Sequence, residues 1–358
     1  MIEKKSYQCF TKTLHKKIKG LYPLSAQIEL TYRCNLKCVH CYCKGSERKN
    51  ELSTSEWKNI IDQIHSAGAI WLTITGGEPL VRRDFFDIYT YAKKKGFLIS
   101  VFTNGILLGN KALECFEKYP PYSVEITLNG ITRKTYESIT QVKGSFKKLM
   151  RNIQKSVLQR IPLILKAVGL KQNKREIRDI KAFTEDLLGK KKFKFDSFVT
   201  PRLNGGSAPC LHRLSAEEIE EIENSDPDMR AQREKEFKEH KPYLREPEYK
   251  YHCNAWFNQF YITPYGRLRF CHLTDKYSTD LKKVPFTEGF YGKFPAILEE
   301  KHKSNSKCIR CDLRESCYHC PARAYLETGN EEAPVPYFCS LARMKKTKKE
   351  KQRVLVTQ

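Results

Sequence analysis

The sequence predicts an α/β protein: a partial (β/α)6 barrel followed by a small metal-organised domain. In the first two thirds of the 358 residues, six β-rich runs alternate with amphipathic helical patterns, and parallel strands need such crossover connections. Unusual loops follow the first four strands, and functional loops gather at the carboxyl ends of barrel strands. From about residue 251, cysteines, prolines and aromatics replace the helical periodicity. Six βα units fall short of the eight that close a complete barrel.

Each element has its own signal. The predicted strands are Gln27–Thr31, Ile70–Thr75, Phe97–Thr103, Tyr122–Leu128, Pro162–Val168 and Phe193–Val199. Between the first two, Ser53 and Glu56 have the spacing of a capping box, followed by Trp57 and three isoleucines at helical spacing. Further amphipathic helices are predicted at 84–95, 111–118, 145–159 and 175–188.

The last third divides differently. Ser215–Glu223 is an acidic helical pattern that Asp226-Pro227 ends. The expected divisions are an N-terminal extension (1–26), the barrel (27–205), a connector helix (206–250), a metal-organised domain (251–341) and a basic tail (342–358).

Composition limits the compartment and the partners. The N-terminus has no apolar signal core and no apolar run approaches the ~20 residues of a membrane span, so we expect a cytoplasmic chain without a membrane partner. Its fourteen cysteines should then stay reduced, and clustered thiols are metal ligands more often than disulfides. The net charge of +24 favours acidic partners, although lysine runs are usually solvated and do not by themselves choose a nucleic acid.

The first cysteine cluster is Cys34, Cys38 and Cys41, with C-x3-C-x2-C spacing. Three thiolates so close together can hold three irons of a cubane cluster and leave the fourth iron without a protein ligand. An open metal position is a property of catalytic sites. From the spacing alone, a structural zinc site with His40 or Cys43 as the fourth ligand remains open.

Three more loops follow the second, third and fourth strands: 76–79 (Gly-Gly-Glu-Pro), 103–105 (Thr-Asn-Gly) and 129–130 (Asn-Gly). Two adjacent glycines permit close backbone approach to a ligand, and a carboxylate can accept a hydrogen bond from an amino group. Lys166, near the end of the fifth strand, is expected to face solvent rather than an anionic ligand.

Together, the three cysteines and the Gly-Gly-Glu-Pro loop resemble the radical S-adenosylmethionine (SAM) enzymes. The resemblance implies a 4Fe–4S cluster bound to SAM, which is cleaved to a 5′-deoxyadenosyl radical. It places His40 beside the adenine, and it leaves a charged role at 129–130 in doubt, because the family often has Asp-Gly there. The SAM-binding residues that it implies are His40, Gly76, Gly77, Glu78, Thr103, Asn104 and Thr127.

A second constellation of seven cysteines lies near the C-terminus, and composition alone leaves a zinc ribbon pair open. Its members are Cys253, Cys271, Cys308, Cys311, Cys317, Cys320 and Cys339. The pattern resembles the SPASM domain of peptide-maturing radical SAM enzymes, apart from a gap of two residues where three are usual. The resemblance implies two auxiliary iron–sulfur clusters. The outer one would use the cysteines at 308, 311, 317 and 339, and the inner one those at 253, 271 and 320, completed by Cys210 or a substrate atom.

These patterns predict an enzyme that abstracts hydrogen from a residue of a ribosomally made peptide. The positive net charge of the chain favours an acidic peptide. One alternative is the same chemistry on a small metabolite such as a tetrapyrrole side chain, and another is a zinc-organised nucleic-acid-binding protein without catalysis. His272 follows Cys271 at the position where sulfatase-maturing relatives have an Asp that acts as a base, which weighs against sulfatase maturation. The first 26 residues are too short for the family's winged-helix module, so we expect a separate leader-recognition protein or direct binding, together with a flavodoxin- or ferredoxin-type electron donor.

Overall fold

The computed structural model describes residues 20–43, 45, 50–239, 248–252, 258–303, 305–317 and 319–356, and it is an α/β fold around one mixed sheet. The strands are β1 (Ser25–Glu29), β2 (Trp71–Thr75), β3 (Leu98–Thr103), β4 (Ser123–Thr127), β5 (Leu163–Val168), β6 (Phe193–Asp196), β7 (Gln259–Ile262), β8 (Arg267–Arg269) and β9 (Thr279–Asp280). Their order in the sheet is β6-β5-β4-β3-β2-β1-β7-β8-β9. Strands β1 to β6 pair in parallel, as the partial barrel predicted.

Helices connect the parallel strands and continue beyond them. In the described ranges they are α1 (Thr54–Ser66), α2 (Phe85–Lys94), α3 (Asn110–Lys118), α4 (Arg133–Thr140), α5 (Ser145–Leu158), α6 (Ile177–Leu188), α7 (Ala216–Asn224), α8 (Pro227–Glu239), α9 (Phe286–Leu298), α10 (Pro321–Thr328) and α11 (Pro336–Val356). The capping box of α1 is present: Ser53 Oγ accepts from the Glu56 backbone N–H at 3.3 Å, and Glu56 Oε2 accepts from the Ser53 N–H at 2.7 Å.

The six predicted strands are all present. Five lie within two residues of their expected ends, while β6 ends at Asp196, three residues early. Helix α4 was not predicted, because its short sequence has few apolar residues; Thr132 begins it by accepting from the Thr135 N–H.

The core of the barrel lies between the outer face of the sheet and the helices. Alternate strand residues point outward into it, and Ile28, Ile74, Val101, Ile126 and Leu165 are completely buried there. The intervening residues face the concave side of the sheet. This alternation places the polar side chains of the strands on the same side as the loops described below.

The C-terminal third is joined to the barrel through the sheet and through the core. Strand β7 pairs in parallel with β1, and β8 turns back antiparallel to β7. Phe260, Phe286, Phe290 and Phe294 are fully buried in the same apolar cluster as the barrel residues. The sequence predicts a region organised by metal; the structure adds this apolar packing, and the role of metal stays a prediction. Helix α9 gives little periodic signal because residues such as Tyr291 and Ala296 lie on its exposed face and because it contains an internal proline.

The two ends of the chain were expected to be an N-terminal extension and a basic tail outside the folded domains. Of the expected N-terminal extension, residues 1–19 lie outside the described ranges, and β1 already begins at Ser25. The expected basic tail continues α11 as far as Val356 without a break at residue 342. In the described part of the chain, no helix is long and apolar enough to cross a membrane.

Candidate active site

The loop after β1 brings the thiols of Cys34, Cys38 and Cys41 together. Burial, reinforced by the neighbouring thiols, raises the pKa of Cys34 to about 11 and that of Cys38 to about 12. Backbone hydrogen bonds hold the loop in place, since the N–H groups of residues 37 and 39 donate to carbonyls at the end of α4 at 3.0 Å. Thiols this close and this hard to ionise need a positive partner to become thiolates, and iron supplies one.

The donor set therefore suits an iron–sulfur cluster. Within the described ranges, no three His, Cys, Asp or Glu side chains are arranged to hold one metal ion. The cysteines of a cubane cluster each bind a different iron, so they do not have to meet at one point.

The Gly-Gly turn after β2 packs against the backbone of the cysteine loop. Gly76 has φ of 139°, and a Cβ atom there would lie 2.2 Å from the Thr31 carbonyl oxygen. A Cβ on Gly77 would lie 2.5 Å from the Tyr32 carbonyl oxygen, and the Gly77 N–H donates to the Thr31 carbonyl at 2.7 Å. The sequence predicted close approach to a ligand; in the structure these glycines allow close approach to the cysteine loop.

Glu78 joins three loops of the site. It is completely buried and accepts hydrogen bonds from Thr103 Oγ1 at 2.8 Å and from the Asn104 N–H at 2.7 Å. Burial raises its pKa to about 7. The Asn104 side-chain amide in turn donates to Asn35 Oδ1 at 2.7 Å and lies 3.7 Å from Cys34 Sγ. The predicted residues Glu78, Thr103 and Asn104 thus lie beside the cysteine loop.

His40 is a half-buried residue, and one nitrogen of its imidazole has no hydrogen-bond partner among the described residues. Asn129 Oδ1 accepts from the Val168 N–H at 2.8 Å, so the Asn129 amide nitrogen faces His40 Nε2 at 3.3 Å and donates to it. The proton of the neutral ring is then on Nδ1, a buried atom to which no described residue offers a hydrogen-bond acceptor. Burial lowers the pKa of His40 to about 4, so the ring stays neutral and offers one free donor. Thr127 ends β4 nearby, in register with Lys166 on β5.

A buried polar network on the concave side was not predicted. Tyr32 Oη donates to Glu29 Oε2 at 2.8 Å, and Tyr42 Oη approaches Glu29 Oε1 at 3.3 Å. Burial raises the pKa of Glu29, against the attraction of the Arg269 guanidinium. The signal in the sequence was a charged residue at an inward-facing strand position just before the cysteine loop.

Lys166 also differs from expectation, because it does not face solvent. Its Nζ lies 3.5 Å from Glu125 Oε2 and 3.4 Å from the centre of the Phe102 ring, and burial lowers its pKa to about 8. The strand alternation puts it on the concave side.

Four C-terminal cysteines surround one cavity. Cys308, Cys311, Cys317 and Cys339 line a space of about 100 Å³. Burial, together with the neighbouring thiols, raises the pKa of Cys308 and of Cys317 to about 11. The structure thus groups the cysteines expected for the outer cluster.

The cysteines expected at the inner cluster do not all lie in one place. Cys271 and Cys320 pack against the same small apolar cluster, formed by Leu273, Ala322 and Leu326. Cys253, expected beside them, lies outside the described residues. Cys210 lines a different cleft with Arg213 and Tyr337, among others, and no other predicted ligand lines that cleft.

Comparison with known proteins matches residues 28–184 to the family described as the Radical SAM superfamily. Fe-coproporphyrin III synthase of Methanosarcina barkeri is 37% identical over 165 residues, which are 46% of this chain and 40% of that protein. The subtilosin biosynthesis protein AlbA of Bacillus subtilis is 30% identical over 262 residues, 71% of this chain and 56% of AlbA. The chain thus spans about half the length of these two relatives.

Two further matches cover more of their counterparts. AdoMet-dependent heme synthase of Methanosarcina barkeri is 25% identical over 333 residues, 86% of this chain and 94% of that protein. Among solved structures, SuiB of Streptococcus suis bound to S-adenosylmethionine superimposes with a TM-score of 0.69 at 18% identity, over 92% of this chain and 80% of SuiB. At this identity the likeness concerns the fold.

Proposed function

Because residues 28–184 are a radical SAM domain, we propose that the chain cleaves SAM to a 5′-deoxyadenosyl radical and abstracts hydrogen from a residue of a ribosomally made peptide. The observation that carries the proposal is the convergence of three thiols with the hydrogen bond from Asn104 to Glu78 at one rim of the sheet. When bound, a 4Fe–4S cluster supplies the electron that cleaves SAM.

In this proposal the residues at the rim have distinct tasks. Cys34, Cys38 and Cys41 hold three irons as thiolates. The free Nδ1–H of His40 is available to an acceptor on the adenine, and Thr127 to the SAM carboxylate. Gly76, Gly77 and Glu78 receive the methionyl amino group. Thr103 and Asn104 line the pocket beside them. Glu78 acts there chiefly by holding Thr103 and Asn104 against the cysteine loop, since its oxygens already accept their hydrogen bonds.

We further propose that the C-terminal region is a SPASM domain with two auxiliary clusters. The four-thiol cavity supports the outer one. The shared packing of Cys271 and Cys320 supports the inner one, with Cys253 as its third cysteine. Cys210 lines a cleft whose lining includes neither Cys271 nor Cys320, which favours a substrate atom over Cys210 at the fourth position of the inner cluster.

A peptide substrate is supported by AlbA, a bacteriocin biosynthesis protein that aligns over 71% of this chain, and by SuiB, which was also solved bound to its precursor peptide SuiA. The excess of Lys and Arg favours an acidic peptide, whose binding would weaken as salt rises. A second candidate is a tetrapyrrole side chain, because a heme synthase matches nearly end to end. The non-catalytic, zinc-organised alternative is set aside because the domain belongs to a superfamily of enzymes.

One experiment separates the two substrates. Anaerobically reconstituted protein is incubated with SAM and dithionite, together with either peptides from neighbouring short reading frames or Fe-coproporphyrin III. Mass spectrometry follows 5′-deoxyadenosine and each substrate. The peptide proposal expects a mass change in a peptide, such as the loss of two hydrogens. If Fe-coproporphyrin III alone stimulates 5′-deoxyadenosine and loses carbon dioxide, the substrate is the tetrapyrrole.

A control protein with Cys34→Ala, Cys38→Ala and Cys41→Ala shows whether any product depends on the cluster loop. Iron and sulfide analysis of the anaerobically prepared wild-type protein identifies the metal. Zinc without iron or sulfide would overturn both proposals.

A further inference from the structure

The surface around the four-cysteine cavity is strongly basic. Lys307 lines the cavity, and Arg310 lies between two of its cysteines. Arg343 is one turn beyond Cys339 on α11. The side chains of Lys307, Arg310 and Arg343 are exposed. We call these three residues the basic face.

The charge of this region is not balanced by acidic residues of its own segments. The segments 301–317 and 336–356 contain twelve Lys and Arg against three Asp and Glu. Asp312 is already paired, because Lys346 Nζ lies 2.8 Å from its Oδ2. Three glutamates follow along the chain, and each is already paired: Glu327 with Arg213, and Glu331 and Glu332 with Lys250. A partner with negative charge would therefore meet a net positive surface.

Helix α11 carries this charge outward from the cavity. Cys339 lies in its first turn, and the basic residues follow from Arg343 onward. Its 21 residues span about 30 Å at the usual rise per residue. The basic face is thus continuous with the wall of the four-thiol cavity, which Lys307 lines.

We propose that the basic face docks an acidic one-electron carrier protein, with a flavin or iron–sulfur group, beside the outer cluster. This inference rests on the proposed function. The docked carrier loses one electron and the outer site gains it, and no bond forms or breaks. Complementary charge speeds the encounter of such partners and fixes their orientation.

The location decides between this partner and other acidic macromolecules. A peptide substrate has to reach the rim at Cys34 and Glu78, whereas an electron carrier has to come close to a metal site near the surface. The basic face adjoins the four-cysteine cavity, whose lining includes none of the rim residues.

The test measures binding of a bacterial flavodoxin, as the acidic FMN-containing probe, to the reconstituted full-length chain. The variant is Lys307→Glu/Arg310→Glu/Arg343→Glu. The matched control is Lys147→Glu/Lys148→Glu/Arg151→Glu, which changes three exposed basic residues on α5 by the same charge. We expect Kd to rise at least about tenfold in the variant and to stay near the wild-type value in the control. Wild-type binding should weaken between about 50 and about 300 mM salt.

Equal affinity in the variant and the control would overturn the proposal. So would displacement of flavodoxin by the acidic peptide substrate or by single-stranded RNA, because either would show that the face serves another partner. If the triple variant loses iron, Arg343→Glu alone replaces it, since that residue does not adjoin a cysteine in sequence. Formation of 5′-deoxyadenosine by the wild type with dithionite tests the proposed function separately, because dithionite needs no docking site.

Discussion

Replacing Arg213 with methionine tests how the C-terminal cysteines are held against the barrel. Arg213 precedes α7, and its side chain is 8% exposed. Its Nε donates to the Val199 carbonyl, just beyond β6, at 2.7 Å. Its two terminal nitrogens bind both carboxylate oxygens of Glu327 on α10 at 3.0 and 2.7 Å. The guanidinium also lies 4.5 Å from the centre of the Tyr337 ring on α11. One side chain thus joins the barrel to α10, which begins directly after Cys320, and to α11, which carries Cys339.

The expected loss follows from what the methionine leaves behind. The Glu327 side chain is 14% exposed, so it would keep a nearly buried charge without its partner, and the Val199 carbonyl would lose its donor. Removing one member of a buried ion pair costs about 3–5 kcal/mol. The double variant Arg213→Met/Glu327→Met removes both charges, and it should recover most of that loss because buried pairs and apolar pairs of similar volume are nearly equal in stability.

Urea unfolding followed by circular dichroism measures the free energies of the two variants and the wild type. Iron content gives a second measure: the Arg213 variant should lose auxiliary iron while the cluster at Cys34, Cys38 and Cys41 stays. A loss below about 1 kcal/mol, or a double variant no more stable than the single one, would refute the view that Arg213 and Glu327 form a buried clasp.

Three more predictions concern the site. Alanine at Cys34, Cys38 and Cys41 should abolish dithionite-driven 5′-deoxyadenosine formation with little change in circular dichroism, because these thiols lie on one loop beside a separate core; continued formation would contradict the ligand assignment. Cys308→Ala should lower iron content and solubility and stop product formation while some uncoupled SAM cleavage survives, since this thiol lines the four-cysteine cavity; unchanged iron content would contradict it. Burial raises the pKa of Glu78 from 4.5 to about 7, so its contribution to stability is complete below the unfolded-state pKa and is lost as the pH rises through the folded-state value. In SAM-free protein, the unfolding free energy of the wild type relative to Glu78→Gln should fall by about 3 kcal/mol between about pH 5 and pH 8 in urea titrations; a constant difference would show that the carboxyl is not desolvated.

The barrel could be predicted because its signals are local. Each strand is a short β-rich run, and each of the predicted connecting helices shows an apolar stripe in its own residues. The pairing of β7 with β1 could not be predicted in this way, because it joins residues far apart in sequence and β7 is only four residues long. Helix α9 was missed because its exposed face carries apolar and small residues such as Tyr291 and Ala296, which contrast little with its buried phenylalanines.

The site was predictable where chemistry requires particular residues at fixed spacing, as for the three rim cysteines and Glu78. The positions of Glu29 and Lys166 could not be predicted, because a charged residue within a strand shows its face only once the neighbouring strands are known. The local pattern favoured solvent for Lys166, and the concave side was decided by its contacts with Glu125 and Phe102.

The parallel pairing of β1 with β7 also has a consequence for synthesis. Gln259 pairs with Ser25 and lies 234 residues later in the chain. A ribosome adding about 5–20 residues per second needs on the order of 10–50 s to cover that interval. During this time β1 can pair with β2 on one side, while the backbone of its other side has no strand to bind. Unpaired strand edges promote aggregation. The nascent chain should therefore depend on chaperones longest at its first strand, and release from them should coincide with emergence of residues 259–262.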